Sequence, residues 1–204
     1  FDYSIPIEGL PQFFRNSVED FPNGDAFLVP DPTSVAKWAE RLSELGEGLK
    51  VGISWLGGKK TVRGKNSIPL ACWKNMLSAN AFFINLQYGD TTEEVIRFSS
   101  ENNIEIHDWE DNDPLLDLDN QAALISELDL VISVDNATVL SSIAVGTEVW
   151  DLLNPALNLL WLDNDTDRSP FSRHLKLFKK ENKSGWDTVL KSAEVQLKRK
   201  LRET

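Results

Sequence analysis

Three stretches of this 204-residue chain carry residue types that can handle an anionic ligand. The first, "VDNAT" (134–138), places Asp135 and Asn136 between an apolar run and a helix of small residues. One polar residue suffices for a turn. An acid, an amide and a hydroxyl at a helix start set side-chain caps beside unpaired backbone N–H groups. The N–H groups of Asn136, Ala137 and Thr138 can hold a diphosphate there, with Asp135 kept for a hydroxyl or a structural role. Helix capping alone accounts for Asp135 and Asn136 equally well. The second stretch, "SWLGGKKTVRGK" (54–65), joins Gly57 and Gly58, which permit close backbone approach, to Lys59, Lys60, Arg63 and Lys65. Its spacing is neither GxGxxG nor a P-loop, so a solvated surface loop stands beside the phosphate-binding reading. The third, "LQYGD" (86–90), offers Gln87 to a base or sugar and Tyr88 for stacking, or simply a turn before the next helix.

The catalytic motifs are missing. His107 and His174 stand apart from any Ser or Cys in a nucleophile pattern. Cys72, in "LACWKN", reads as a core or boundary residue. Asp108, Glu110, Asp111 and Asp113 lack calcium-loop spacing and read as a solvated acidic loop, so no metal site is expected. Trp161, in "NLLWLD", suits either a pocket wall or the core.

These stretches need elements to position them. With 41% hydrophobic residues, seven Trp and ten Phe, the chain can bury one good core. A net charge of −11 gives no overall positive field, which argues against a general nucleic-acid binder. The charge is uneven: 57–65 holds four cations and no acid, and 101–119 holds eight acids and no Lys or Arg. One cysteine excludes an internal disulfide, and no apolar run reaches the roughly 18 residues of a membrane span. The chain begins at Phe1, and we read it as a piece of a longer protein.

Runs apolar on both faces mark buried parallel strands at "VGISW" (51–55), "AFFINL" (81–86), "LDLVISV" (128–134), "EVWDLL" (148–153) and "LKLFK" (175–179). "IEIHDW" (104–109) is a shorter one. Helical patterns alternate with them. "SVAKWAERLSEL" (34–45) follows Asp31 or Thr33 as N-cap, and Thr91 and Glu94 open "TTEEVIRFSSEN" at capping-box spacing. "NQAALISEL" (120–128), "TVLSSIAVG" (138–146) and "GWDTVLKSAEVQLKRKL" (185–201) follow. The alternation predicts an α/β fold, a Rossmann-like open, mainly parallel sheet of about six strands with helices on both faces. Residues 1–30, rich in Pro and aromatics, fall outside it and read as a connecting segment packed on a domain over 31–204.

Taken together, "VGISWLGG", "SIPL", "LQYGD" and "LDLVISVDNATVLSSIAVGTEVWDLL" resemble the C-terminal half of bacterial GT-B glycosyltransferases that follow tetratricopeptide repeats, relatives of the heptosyltransferases. The resemblance covers nearly the whole chain. It implies a cytoplasmic, metal-independent transferase lobe that takes a nucleotide-sugar as co-substrate, with no other cofactor, and a possible protein acceptor. Residues 1–30 would then be the tail of a preceding N-terminal lobe or repeat region. By matching position, Lys60–Lys65 and Asn136–Thr138 would face the diphosphate, Asp135 would match the family's Asp, and Gln87 would lie near the nucleoside. The acceptor-activating base would come from the other lobe, leaving the fragment inactive alone. Leu140 and Glu148 stand where the family pattern has His and Pro, and Leu160 stands where it often has Arg. These departures support a second reading, a catalytically inactive derivative that serves as a protein-interaction module.

Overall fold

In the computed structural model, residues 4–6, 9–21, 24, 26–57, 66–154, 167–181 and 185–203 are described. The N-terminal segment holds a short helix, α1 (Pro11–Phe14), and a 3-10 turn, Val18–Asp20. Helix α2 (Pro32–Ser43) starts where Asp31 accepts the Ser34 N–H at 2.8 Å, with Pro32 in the first turn, where its missing N–H costs nothing. Strand β1 (Lys50–Ser54) follows, then a 3-10 turn (Leu70–Trp73) running into α3 (Lys74–Leu77). Next come β2 (Phe82–Asn85), α4 (Thr92–Asn102), α5 (Leu118–Ser126) and β3 (Leu130–Val134). The rest is α6 (Ala137–Val145), β4 (Val149–Leu153), the short β5 (Arg168–Ser169), β6 (Ser172–Lys179) and α7 (Asp187–Glu203).

The six strands form one sheet in the order β2-β1-β3-β4-β6-β5. All neighbours are parallel except β5, which returns antiparallel on β6. Trp73, Met76, Phe98, Val189 and Leu197 cover one face, from α3, α4, α7 and the turn before α3. Trp38, Leu42, Leu124, Val139 and Ile143 cover the other, from α2, α5 and α6. Both faces are dry, which is why the strands carry continuous apolar runs instead of alternation. Gly52 of β1 lies where a Cβ would come within 2.4 Å of Leu86 and 2.7 Å of Leu128, so the layers meet closely there.

Glu148 joins the last helix to the sheet. Its carboxylate accepts from Trp150 Nε1 at 2.9 Å and from Lys200 Nζ of α7 at 2.7 Å. The N-terminal segment lies against α6: the N–H groups of Phe27 and Leu28 both donate to the Ala144 carbonyl at 2.9 Å.

One expectation is corrected. Cys72 is exposed, because the 3-10 turn turns Leu70 and Trp73 inward and leaves Cys72 outside. The acidic stretch is at the surface as expected, with Asp108, Glu110, Asp111 and Asp113 all exposed, and one of the four is tied to α2. Asp111 meets Lys37 at 2.7 Å and Arg41 at 2.6 Å, and its carbonyl accepts from Asn120, whose Oδ1 takes the Trp38 indole N–H. The Arg41 guanidinium also lies over Trp38 and Trp109, at 4.8 and 5.5 Å from their centroids. Hydrogen bonds from Arg41 and then Lys37 lower the Asp111 pKa to about 2. The stability this supplies is present above the ordinary value of 3.8 and is lost as pH falls through about 2. With the Asp111 side chain 46% exposed, we expect Asp111→Asn to cost no more than about 1 kcal/mol at pH 7 and nothing below pH 2. Urea unfolding across that range measures it, and an equal cost at both ends would refute the ion-pair account.

Candidate functional site

The chain leaves β1 toward β2 on one side, and β3 lies on the other side of β1. That reversal opens a crevice beyond the carboxyl ends of β1 and β3, the place where open α/β sheets bind ligands. Ser54, the last residue of β1, and Ser133, one residue before the end of β3, are registered partners.

Asn136 is the centre of this crevice. Its Oδ1 accepts the Thr138 N–H at 2.9 Å, capping α6, and sits 3.1 Å from the Ser133 hydroxyl. Its Nδ2 donates across the seam to Ser54 Oγ at 2.8 Å and to the Leu56 carbonyl at 3.1 Å. One amide therefore caps the helix and ties β3 to the segment leaving β1. The Thr138 N–H, expected to be open to an anion, is already used by this cap. Thr138 itself is buried, Ala137 is exposed at the helix start, and Leu140 is 52% exposed farther along α6.

Gln87 lies beneath, 5% exposed. Its Oε1 accepts from Ser54 Oγ at 3.0 Å, Trp55 N–H at 2.9 Å and Leu56 N–H at 2.8 Å, and its Nε2 donates to the Tyr88 carbonyl. Its own N–H donates to Asn85 Oδ1 at 2.8 Å. The side chain expected to read a ligand spends its amide on shaping the chain after β1. Glu94, expected in a capping box with Thr91, instead accepts the Trp55 indole N–H at 3.2 Å. Thr91 is still the N-cap residue of α4, but its hydroxyl is 3.4 Å from Asn85 Nδ2 and makes no cap bond.

Gly57 and Asn66 form a neck at this crevice. A Cβ on Gly57 would come within 2.4 Å of the Asn66 carbonyl oxygen, so only glycine fits. The Gly57 N–H donates to Ser67 Oγ at 3.0 Å, and the Ile68 N–H donates to the Trp55 carbonyl at 2.9 Å. Asn66 Nδ2 donates to the Asp135 carbonyl at 2.7 Å, which seats the neck beside the start of α6. Asn66 Oδ1 is buried with no partner. Gly58, Lys60, Arg63 and Lys65 lie outside the described residues, as do Leu160 and Trp161.

Farther into the sheet, on the face that α6 covers, Asp151 of β4 registers with Ser133. It is fully buried, and neither carboxylate oxygen has a hydrogen-bond partner. Burial first, and the nearby charge of Asp135 second, push its pKa well above the ordinary value. Sequence reading missed Ser54, Asn66, Ser133 and Asp151. The available signal was a polar residue in each of three apolar runs, together with an Asn following the basic stretch.

No family model matches the chain. It is 35% identical over 192 residues to protein FlbA of Caulobacter vibrioides, covering 93% of this chain and 32% of FlbA. The chain thus spans about a third of that relative's length. Its fold is similar to that of the glycosyl transferase family 9 protein of Veillonella parvula, with TM-score 0.62 and 15% identity over 86% of this chain and 55% of the other. It is also similar to ADP-heptose LPS heptosyltransferase II of E. coli, with TM-score 0.59 and 12% identity over 92% of this chain and 58% of that one. The chain has the Rossmann-type α/β fold of these glycosyltransferase structures, of which it spans little more than half.

Proposed function

We propose that the chain is the donor-binding lobe of a metal-independent glycosyltransferase, which holds a nucleotide-sugar in the crevice beyond β1 and β3. The observation that carries this reading is the neck. Gly57 and Asn66 fix both ends of a segment containing Lys59, Lys60, Arg63 and Lys65 beside the start of α6. Cations delivered there would meet a diphosphate, and a fixed positive environment is what a departing nucleoside diphosphate needs. In this reading Lys60, Arg63 and Lys65 bind the diphosphate, with Gly57, Gly58 and Ala137 allowing close approach. Asn136, Thr138 and Gln87 hold the crevice in shape, and Asp135 takes a donor hydroxyl. Residues 1–30 lead in from a preceding lobe or repeat region of a longer protein, which supplies the acceptor site and the base.

The exposed Leu140, an apolar side chain near the start of α6, favours the alternative of an inactive derivative that binds a protein partner. Calorimetric titration with UDP, GDP, CMP, ADP and their sugar conjugates separates the two. The donor-lobe reading expects saturable binding of one nucleotide class, weakened at least about tenfold (about 1.4 kcal/mol) by Lys60→Ala with Arg63→Ala. Folded protein that binds none of them at 5 mM (~3 kcal/mol or weaker) would end this reading.

A further inference from the structure

The outer edge of the sheet is finished by residues outside any named strand. His107 bridges to β2 in parallel: its N–H donates to the Phe83 carbonyl and its carbonyl accepts the Asn85 N–H, both at 2.8 Å. Peptide groups alternate sides along an extended chain, so those of Ile106 and Asp108 face away from the sheet. Neither residue has a backbone partner among the described residues. Such an edge is a template for another strand.

Beside it, α4 and residues 104–110 enclose a groove of about 790 Å³. Ile96, Ile104 and Ile106 give it an apolar wall, and Ile96 is 64% exposed. Glu105, Asp108 and Glu110 supply its charge. No Lys or Arg occurs between 101 and 119, and Arg97 of α4 is not among the lining residues. The nearby cations of α2, Lys37 and Arg41, are engaged by Asp111. In the α4 wall, the Ser99 hydroxyl is buried without a partner. The groove thus combines an open strand edge, an apolar wall and negative charge that no Lys or Arg faces, the nearest basic group being His107, whose Nδ1 is 3.6 Å from Glu105. A second copy of the chain would bring the same three acids against each other, which disfavours self-pairing.

We propose that this edge groove docks an extended segment of a protein partner in which Lys or Arg alternates with branched apolar residues. The segment adds as a strand beside residues 104–108. On the α4 face its apolar side chains pack beside Ile96, and on the opposite face its cations meet Glu105, with Asp108 and Glu110 adding to the negative field that draws the segment in. The docking does not depend on nucleotide-sugar binding, since the groove lies at the sheet edge and the crevice lies between β1 and β3.

The probe is a fluorescein-labelled peptide, acetyl-KVKIKVKI-amide, titrated with the chain at 150 mM salt and followed by anisotropy. Saturable binding is expected, at least tenfold tighter than for the same peptide N-methylated at alternate residues, which keeps the charge and removes strand pairing. Ile96→Asp, and Glu105→Lys with Asp108→Lys, should each weaken it at least tenfold. Glu40→Lys with Glu44→Lys, an equal charge change on the exposed side of α2, should leave it unchanged. Hydrogen exchange at the Ile106 and Asp108 amides should slow on binding. Equal affinity for the methylated peptide, or equal loss from the α2 charge change, reduces the effect to general electrostatics and overturns the proposal. So does absence of binding at 1 mM, or a concentration-dependent dimer that protects those same amides.

Discussion

Replacing Asp151 with Val makes the protein more stable, and replacing it with Asn flattens the dependence of stability on pH. Asp151 is buried between β4 and α6 with neither oxygen hydrogen-bonded. A buried polar group left without a partner costs about 1–3 kcal/mol, which Val removes. At roughly 2–4 °C per kcal/mol for a chain of this size, the Val variant should melt about 5 °C higher. The pH effect follows from the raised pKa. In the unfolded chain the carboxyl ionises near its ordinary value of 3.8, while in the folded chain it holds its proton longer. Between those two values the folded state binds more protons. Stability is therefore complete below 3.8 and falls as pH rises, by about 1.4 kcal/mol per unit, until the folded pKa is passed. Asn cannot ionise, so its advantage over the parent grows across that window. Denaturant unfolding from pH 4 to 9 measures both effects. A Val variant that melts below the parent would show that Asp151 contributes to the fold.

Gln87→Leu should have the opposite and larger effect. Its single oxygen satisfies the Trp55 and Leu56 N–H groups and the Ser54 hydroxyl, all near the ends of β1 and β3. Leucine fills similar space and leaves those donors without an acceptor. At about 1–3 kcal/mol for each stranded group, with some relaxation, the loss should reach about 3–5 kcal/mol, or about 10 °C in melting temperature. Gln87→Glu keeps the accepting oxygen but replaces the donor to the Tyr88 carbonyl with a second carboxyl oxygen in a buried place, so it should be destabilised less than the Leu variant. Thermal unfolding of the two variants side by side decides the matter. If the Leu variant unfolds within about 0.5 kcal/mol of the parent, an ordinary surface-like difference, the network is not what holds the crevice.

These two residues also show what was legible in the sequence and what was not. The sheet was legible because burial on both faces leaves no polar alternation: five of the six expected apolar runs became strands, 104–109 left only a bridge at His107, and the two-residue β5 was too short to show in the pattern. An N-cap was legible at Asp31 or Thr33, and Asp31 is the one whose carboxylate accepts the Ser34 N–H. The piece from Leu70 to Leu77 was passed over, since a 3-10 turn and one helical turn are too short to show a period. Its buried Leu70, Trp73, Met76 and Leu77 were the trace it left. Side-chain direction was the harder matter. Gln87 sits in a Tyr-Gly-Asp turn and reads as a ligand contact, yet it turns inward because the chain leaving β1 has two N–H groups to satisfy. The capping box at Thr91 failed for a similar reason: Glu94 found the Trp55 indole, thirty-nine residues away in sequence. Long-range partners of this kind leave no mark in local spacing. Asp135, Asn136 and Gly57 were singled out from local pattern, and the structure brings the three near one another through Asn66.

The neck at Gly57 and Asn66 bears on how such a protein can change over generations. Its two ends are held by backbone closeness and by bonds to Ser67 and Asp135, none of which depends on what lies between them. Lengthening a closed loop is cheap, about 0.6 kcal/mol for each doubling. What lies between Gly57 and Asn66 in sequence can therefore change in length or charge without loosening either anchor, and the sheet keeps its register. Drift at Gly57 has no such freedom, because the first added carbon would strike the carbonyl on the opposite side of the neck.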